Sequence, residues 1–284
     1  MHTTTIRITS VHVKGTTIYL YGSPPDPSCT QQMKPFPIHM FENRAILESA
    51  LVYMTGMEAM VFLYGIAIDL LGGICLEMKE VNVSVTKPKL RICFNSAHGP
   101  SISTPQSMYH NVYRVVLTQG EVWAIDPTGA QFGYYEPLCS WGSFQQRISK
   151  VNRVMELGYI RHKVFYNFAK HSVEFMVSRQ AAQEDMVKKL EEWFLAREEL
   201  HSGRFNGILQ EPEATFESAK HEFLKQLDSH VKRSLTGIYT PAETAKRKKK
   251  VDARLAQNPA DPSSRKEFQE YLKFVVTAMG NLSS

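Results

Sequence analysis

The chain has 284 residues, of which 43% are hydrophobic, and this is enough to bury the core of one large domain or of a domain with a helical extension. The net charge of +5 arises entirely in residues 150–284, which hold 23 Lys and Arg against 18 Asp and Glu, whereas residues 1–149 hold ten of each. A site for a polyanion is therefore expected in the second part of the chain.

The longest apolar stretch, "AMVFLYGIAI" (59–68), lies between Glu58 and Asp69 and is too short to cross a bilayer, so we predict a buried helix there. The N-terminus lacks the basic residues and the apolar run of a secretory signal. Four cysteines without CxxC spacing fit neither a zinc ribbon nor a disulfide framework. We therefore expect a cytosolic protein that makes no contact with a membrane.

The two parts of the chain also differ in their patterns. Residues 1–149 contain eleven of the 16 glycines, ten of the 14 prolines and β-branched runs such as "VNVSV" and "VYRVVL", which predicts an α+β core. In residues 150–284, apolar side chains recur every three or four positions, as at Met186 and Leu190, which predicts an α-helical extension. The last helix is predicted to begin at a capping box that starts at Ser264.

A thiol in the first part is a candidate nucleophile. In "LLGGICLEM", Cys75 follows Gly72 and Gly73, which permit a tight turn, and residues 76–79 are predicted to open a helix. A thiol at a helix N-terminus, beside an imidazole, has a lowered pKa and is nucleophilic near neutral pH. The alternative is an ordinary buried cysteine between two apolar neighbours. Cys93, in the predicted strand "LRICF", is the next thiol to consider.

The stretch "YHNVYRVVLTQGEVWAIDPTGAQFGYYEP" (109–137) predicts a β-hairpin. If its loop has three residues and ends with a left-handed Gly120, Val112 is paired with Asp126. His110 and Asp126 are then diagonal neighbours on one face of the hairpin, about 7 to 8 Å apart at the backbone. An aspartate placed in this way orients a histidine and stabilises its protonated form, as a general base requires. The alternative is a structural hydrogen bond between two strands.

The order of the segments "GIC", "HNVYRVV" and "WAIDPT" is similar to the Cys-His-Asp core of the transglutaminase-like superfamily, and "GGICLE" resembles the cysteine segment of arylamine N-acetyltransferases. This resemblance covers roughly residues 65–135. It implies a papain-like or transglutaminase-like core, in which the cysteine opens a helix and the histidine and aspartate lie on adjacent antiparallel strands. The longer string "WAIDPTGAQFG" also resembles a segment of fungal proteins, which favours a fungal origin and a role in fungal secondary metabolism.

The resemblance implies acyl transfer by a triad of Cys75, His110 and Asp126. Cys75 would attack the carbonyl of an amide, ester or thioester, His110 would accept and return the proton, and Asp126 would orient His110. The substrate is expected to be a small molecule or a peptide, the acceptor is water or an amine, and no cofactor or metal is expected.

Four further residues are candidate contacts to that substrate. Thr128, Gln131 and Tyr134 follow Asp126 closely and are positioned to line the cleft, although Thr128 also suits the turn after the strand. His98 lies in a loop that would border the same cleft, or it is an exposed loop histidine.

The run "AKRKKKVDARLA" (245–256) is the most basic segment of the chain. It is a candidate for binding phosphates through counterion release, and the alternative is a solvated helix face. The five candidate residues are Lys246, Arg247, Lys248, Lys249 and Lys250.

Three hypotheses for the function follow. The first is an acyltransferase or amide hydrolase that uses the cysteine triad. The second is a non-catalytic binding or scaffold protein on a degenerate triad fold. The third is a transferase that takes its group from a phosphate-bearing carrier, such as a coenzyme A thioester or a charged tRNA. A reactive thiol separates the first two hypotheses, and salt-sensitive binding of the carrier marks the third.

Overall fold

The computed structural model of the chain describes residues 3–4, 7–23, 34–53, 55–96, 102–103, 108–168, 174–200, 212–238 and 240–257. These residues form a mixed α+β fold, as the sequence predicts. The strands are β1 (Thr3–Thr4), β2 (Arg7–Lys14), β3 (Thr17–Ser23), β4 (Lys34–Pro35), β5 (Cys75–Val85), β6 (Arg91–Ser96), β7 (Ile102–Ser103), β8 (Met108–Leu117), β9 (Val122–Ile125), β10 (Leu138–Ser140) and β11 (Ile148–Glu156). The helices are α1 (Arg44–Leu51), α2 (Gly56–Leu71), α3 (Trp141–Gln145), α4 (Tyr159–Phe168), α5 (Glu174–Leu200), α6 (Glu213–Ile238) and α7 (Pro241–Gln257).

The largest sheet has five antiparallel strands in the order β10-β9-β8-β5-β11. Every second residue at the end of β5, namely Val81, Val83 and Val85, is buried in one cluster with Phe132 and Phe144. Because side chains alternate along a strand, this pattern turns one face of the sheet toward the segment that follows β9.

The opposite face of this sheet is covered by α2. Tyr113 and Val115 of β8 share a buried cluster with Met60 and Val61 of α2. The hydroxyl of Tyr113 donates a hydrogen bond of 2.8 Å to the carbonyl of Met60. The apolar stretch 59–68 therefore forms the helix that the sequence predicts, and it is anchored on the strand that carries His110.

The hairpin of β8 and β9 has the predicted register. Its three-residue loop ends at Gly120, whose φ of 87° is left-handed and favours glycine. Tyr113 is paired with Ile125, so the same register places Asp126 diagonally across from His110. The two side chains consequently share one face of the sheet.

The predicted division after residue 149 falls inside a strand. β11 pairs with β5 along its length and completes the five-stranded sheet. Most of its residues are exposed, as expected for an edge strand, so its sequence carries little of the apolar pattern of a core strand. The structure therefore extends the α+β part of the chain to Glu156.

A buried carboxylate connects this sheet to the helices that follow. Glu80 of β5 is fully buried, and its carboxylate accepts hydrogen bonds from the backbone N–H groups of Gly158 (2.9 Å) and Ile160 (2.7 Å). These donors lie at the start of α4, where no helical carbonyl serves them. Burial raises the pKa of the Glu80 carboxyl, and the two backbone hydrogen bonds partly oppose that shift.

A second sheet contains β2, β3, β6 and β7, with β3 and β6 parallel, and α1 packs against it. Beyond α4 the chain is helical, as predicted, and Met186 and Leu190 of α5 are buried with Ile238 of α6. The helix predicted from Ser264 lies outside the described residues. Among the described residues, no single helix is long and apolar enough to span a membrane. The helices α1 and α2 meet that length and hydropathy only when they are taken together, and they are bent by 89° relative to each other.

Candidate functional site

His110 and Asp126 form the contact that the sequence predicts. The Nε2 atom of His110 lies 2.7 Å from Oδ1 of Asp126, and the two side chains are 2% and 3% exposed. The edge of the His110 ring also meets Phe132 in a T-shaped contact, with ring centroids 5.0 Å apart. The pair is therefore enclosed on the face of the sheet that the turn after β9 covers.

The turn after β9 is built around the Asp126 carboxylate. The backbone N–H of Thr128 donates to Oδ1 of Asp126 at 3.2 Å, and the N–H of Asp126 donates to the carbonyl of Pro137 at 2.6 Å. A Cβ atom at Gly129 would lie 2.6 Å from Oδ2 of Asp126, so this position accepts only glycine. The segment "DPTG" (126–129) therefore forms a turn that packs closely around the carboxylate of Asp126.

Cys75 does not open a helix, and this prediction was wrong. Cys75 is the first residue of β5 and is paired with Leu117, whereas His110 is paired with Val83. The eight residues from Cys75 to Val83 place the thiol about 26 Å along the strand from the level of His110, at about 3.3 Å per residue. Burial also raises the pKa of the Cys75 thiol, the opposite of activation.

The cause of this error is the glycine pair before Cys75. Gly72 follows the last residue of α2, and a Cβ atom there would lie 2.7 Å from the carbonyl oxygen of Ile68. Gly72 is therefore the C-cap of α2 and does not begin another helix. The residues that follow, "EVNVSV", are rich in β-branched side chains and continue as a strand.

The other described thiols are not activated either. Burial raises the pKa of both Cys93 in β6 and Cys139 in β10. Cys139 is paired with Ala124, and the negative charge of Asp126 raises its pKa further, although Arg147 opposes this. Cys29 lies outside the described residues.

The helix that begins beside the turn after β9 is α2. Its first residue is Gly56, where a Cβ atom would lie 3.6 Å from Oγ1 of Thr128, the residue whose N–H binds Asp126. Oγ1 of Thr128 is buried and has no hydrogen-bond partner. Sequence reasoning missed this position because a glycine carries no chemistry, and only the start of the apolar helix signals it.

The predicted substrate contacts have different environments. Thr128 is 1% and Gln131 is 3% exposed, so both lie inside the turn and do not face an open cleft. The hydroxyl of Tyr134 donates to the backbone carbonyl of Lys87 at 2.5 Å. His98 lies outside the described residues.

The assignment of Arg247 to polyanion binding was wrong. Its side chain is 3% exposed; Nη2 donates to the carbonyl of Ile238 at 2.6 Å, and Nε donates to Asp185 of α5 at 3.3 Å. Lys250 also pairs with α5, at 3.0 Å from Glu184. Part of the basic run therefore holds α7 on the acidic side of α5.

Three exposed lysines of the basic run make no ion-pair contact with α5 among the described residues. They are Lys246, Lys248 and Lys249, and the first two lie 3.9 and 3.8 Å from carboxylates of their own helix. Surface pairs at this spacing contribute little to stability, so these lysines remain accessible to solution.

Comparisons of the chain with models of known protein families, with curated proteins and with solved structures find no match.

We predict that Cys75 behaves as an ordinary thiol toward iodoacetamide. Because its pKa is raised, the thiolate fraction at neutral pH is small, and the alkylation rate should still be rising at a pH where that of glutathione has levelled off. His110→Gln should leave the rate at Cys75 unchanged. Peptide mass mapping over a range of pH measures this, and a rate at Cys75 that depends on His110 would contradict the geometry.

We also predict that two basic residues of α7 differ sharply in their effect on stability. Arg247→Ala removes a buried guanidinium from the carbonyl of Ile238 and from Asp185, and should lower the free energy of unfolding by about 2 kcal/mol. Lys249→Ala, on an exposed site of the same helix, should change it by less than about 0.5 kcal/mol. Urea unfolding measures both. Equal losses would mean that Arg247 does not join α7 to α5.

Proposed function

We propose that the chain is a non-catalytic binding protein built on a degenerate transglutaminase-like fold. In this proposal the His-Asp pair of the fold is retained for structure, and a glycine replaces the nucleophile. The cytosol suits such a protein because the described cysteines, Cys75, Cys93 and Cys139, are all free thiols.

The arrangement of α2 and the sheet supports the relationship to this superfamily. The resemblance implies a helix opened by the nucleophile and two adjacent antiparallel strands that carry the histidine and the aspartate. Here α2 packs on one face of β8, His110 lies on the other face of the same strand, and Asp126 follows β9. The order of helix, histidine strand and aspartate strand along the chain is also the order that the resemblance implies.

The single observation that carries the proposal is the residue at the start of α2. Gly56 occupies the first position of this helix and faces Thr128, which in turn binds Asp126. A cysteine at this helix start would have the N-terminal environment that lowers a thiol pKa. With glycine there, no side chain is available to attack a carbonyl.

Burial of the pair supports the same conclusion. A general base must reach the proton that it removes, in a pose that a substrate can adopt. His110 and Asp126 are almost fully enclosed by the turn after β9 and by Phe132. Buried in this way, the pair serves as a cross-link between strands. The acyltransferase hypothesis and the carrier-dependent transferase hypothesis both need a thiol beside His110, and Cys75 starts a strand far from it.

The test restores a thiol at the proposed position of the nucleophile. In Gly56→Cys, the new Cβ atom fits at 3.6 Å from its neighbour, and Gly65→Cys, in the middle of the same helix, fits equally at 3.6 Å from Glu191. At pH 7, we expect iodoacetamide to alkylate the thiol of Gly56→Cys at least about tenfold faster than that of Gly65→Cys, because a helix N-terminus stabilises a thiolate. Adding His110→Gln to Gly56→Cys should slow the reaction.

The wild-type chain is the second arm of this experiment. It should hydrolyse p-nitrophenyl acetate and acetyl coenzyme A no faster than His110→Gln does. Equal alkylation of the Gly56→Cys and Gly65→Cys proteins would contradict the proposed position of the nucleophile. Turnover by the wild type that is lost in His110→Gln or in Cys75→Ala would overturn the non-catalytic function.

A further inference from the structure

Arg147, between α3 and β11, has no hydrogen-bond acceptor for its Nη1 atom among the described residues. Its side chain is only 14% exposed, and its Nη1 atom is fully buried with no hydrogen-bond partner. The carboxylate of Glu136 is 3.9 Å from Nη2, which is too far for a hydrogen bond, and the Glu136 side chain is 82% exposed. A guanidinium has five donors, and burying such donors without acceptors costs free energy. An acceptor from outside the chain would approach the guanidinium through the 14% of the side chain that is exposed.

An aromatic ring places a second cation beside Arg147. The Cζ atom of Arg147 lies 4.6 Å from the centroid of the Tyr134 ring, and Nζ of Lys89 lies 5.1 Å from the same centroid. The Tyr134 hydroxyl is bound to the backbone carbonyl of Lys87 at 2.5 Å, which fixes the ring. Lys87 and Lys89 are both exposed. Because both distances are measured to the same centroid, Cζ of Arg147 and Nζ of Lys89 lie at most about 10 Å apart. A phosphate together with the group to which it is attached can span this distance.

The charge of this cluster selects its ligand. Lys87, Lys89 and Arg147 carry three positive charges against the carboxylate of Glu136, in a part of the chain that holds ten basic and ten acidic residues in total. Coulomb attraction grows with the charge of the ligand, so a dianion is favoured over a carboxylate. The planar guanidinium also matches two oxygens of a phosphate at once.

We propose that Arg147, Lys89 and Lys87, arranged around Tyr134, form a binding site for the phosphate group of a phosphate-bearing ligand. This site is separate from the exposed lysines of α7 and does not depend on the proposed loss of catalysis. It adjoins the buried His-Asp pair, because the backbone N–H groups of Lys89 and Leu90 both donate to the carbonyl of Phe132, the residue that packs on His110.

Inorganic phosphate is the probe for this site. A titration followed by the backbone amide resonances, with chloride used to hold the ionic strength constant, should give saturable shifts at Lys87, Lys89 and Tyr134. Lys89→Gln, at an exposed position that leaves the fold intact, should weaken phosphate binding about tenfold, which corresponds to one charge-assisted hydrogen bond. Arg147→Gln should weaken it at least as much.

Two further variants distinguish a phosphate site from a cluster that is only structural, because they should change phosphate affinity in different ways. Glu136→Gln removes the only carboxylate beside Arg147 in the described part of the chain and should tighten phosphate binding. Lys14→Gln removes an exposed lysine from the other sheet and should leave it unchanged.

Three outcomes would overturn the proposal. Shifts that do not saturate would mean that water alone solvates Arg147. An equal affinity for acetate would remove the selection for phosphate. An equal loss of binding in Lys14→Gln and Lys89→Gln would reduce the effect to general surface charge.

Discussion

The left-handed turn at Gly120 fixes the register of β8 against β9, and the position of the His-Asp pair depends on that register. Side chains alternate between the two faces of a strand, so a slip of one residue would place His110 and Asp126 on opposite sides of the sheet. The turn after Asp126 then has to close over the carboxylate, and Gly129 is the residue that permits this approach.

From that pair, a chain of contacts reaches the second sheet. The ring of His110 packs on Phe132, and the carbonyl of Phe132 accepts the N–H groups of Lys89 and Leu90, which lead into β6. A few residues later, the hydroxyl of Tyr135 lies 3.0 Å from that of Ser49 in α1, which packs on the same sheet. The buried pair therefore lies where the two sheets are joined. Under the proposed function, this position is the reason that a histidine and an aspartate are retained without a nucleophile.

The sequence predicts those parts of the fold that depend on local geometry. The hairpin register follows from Gly120 and from the alternation of β8, and the position of α2 follows from the length of its apolar run. The position that we propose for the lost nucleophile was not predictable in this way, because a glycine at residue 56 carries no chemical signal. Cys75 was misplaced because Gly72 and Gly73 suit the end of a helix as well as its beginning.

The number of basic residues in a segment was also a poor predictor of which side chains are exposed. Arg247 and Lys249 are equivalent in a count of basic residues, but only the packing of α7 on α5 shows that the first is buried. Arg147 stands in a segment with no basic run, and its lack of an acceptor appears only when Tyr134 and Lys89 are brought beside it. The burial of a polar side chain and the partners that it finds depend on tertiary contacts, which a local sequence pattern does not contain.

We propose that His110 and Asp126 are kept for structure and not for chemistry. A double-mutant cycle of His110→Gln and Asp126→Asn, measured by urea unfolding, tests this directly. The account predicts that each substitution lowers the free energy of unfolding, with a coupling energy of about 1 to 3 kcal/mol between the two sites. Residues retained for catalysis are often a cost to stability. A cycle in which the substitutions stabilise the protein, or in which the coupling is near zero, would contradict the account.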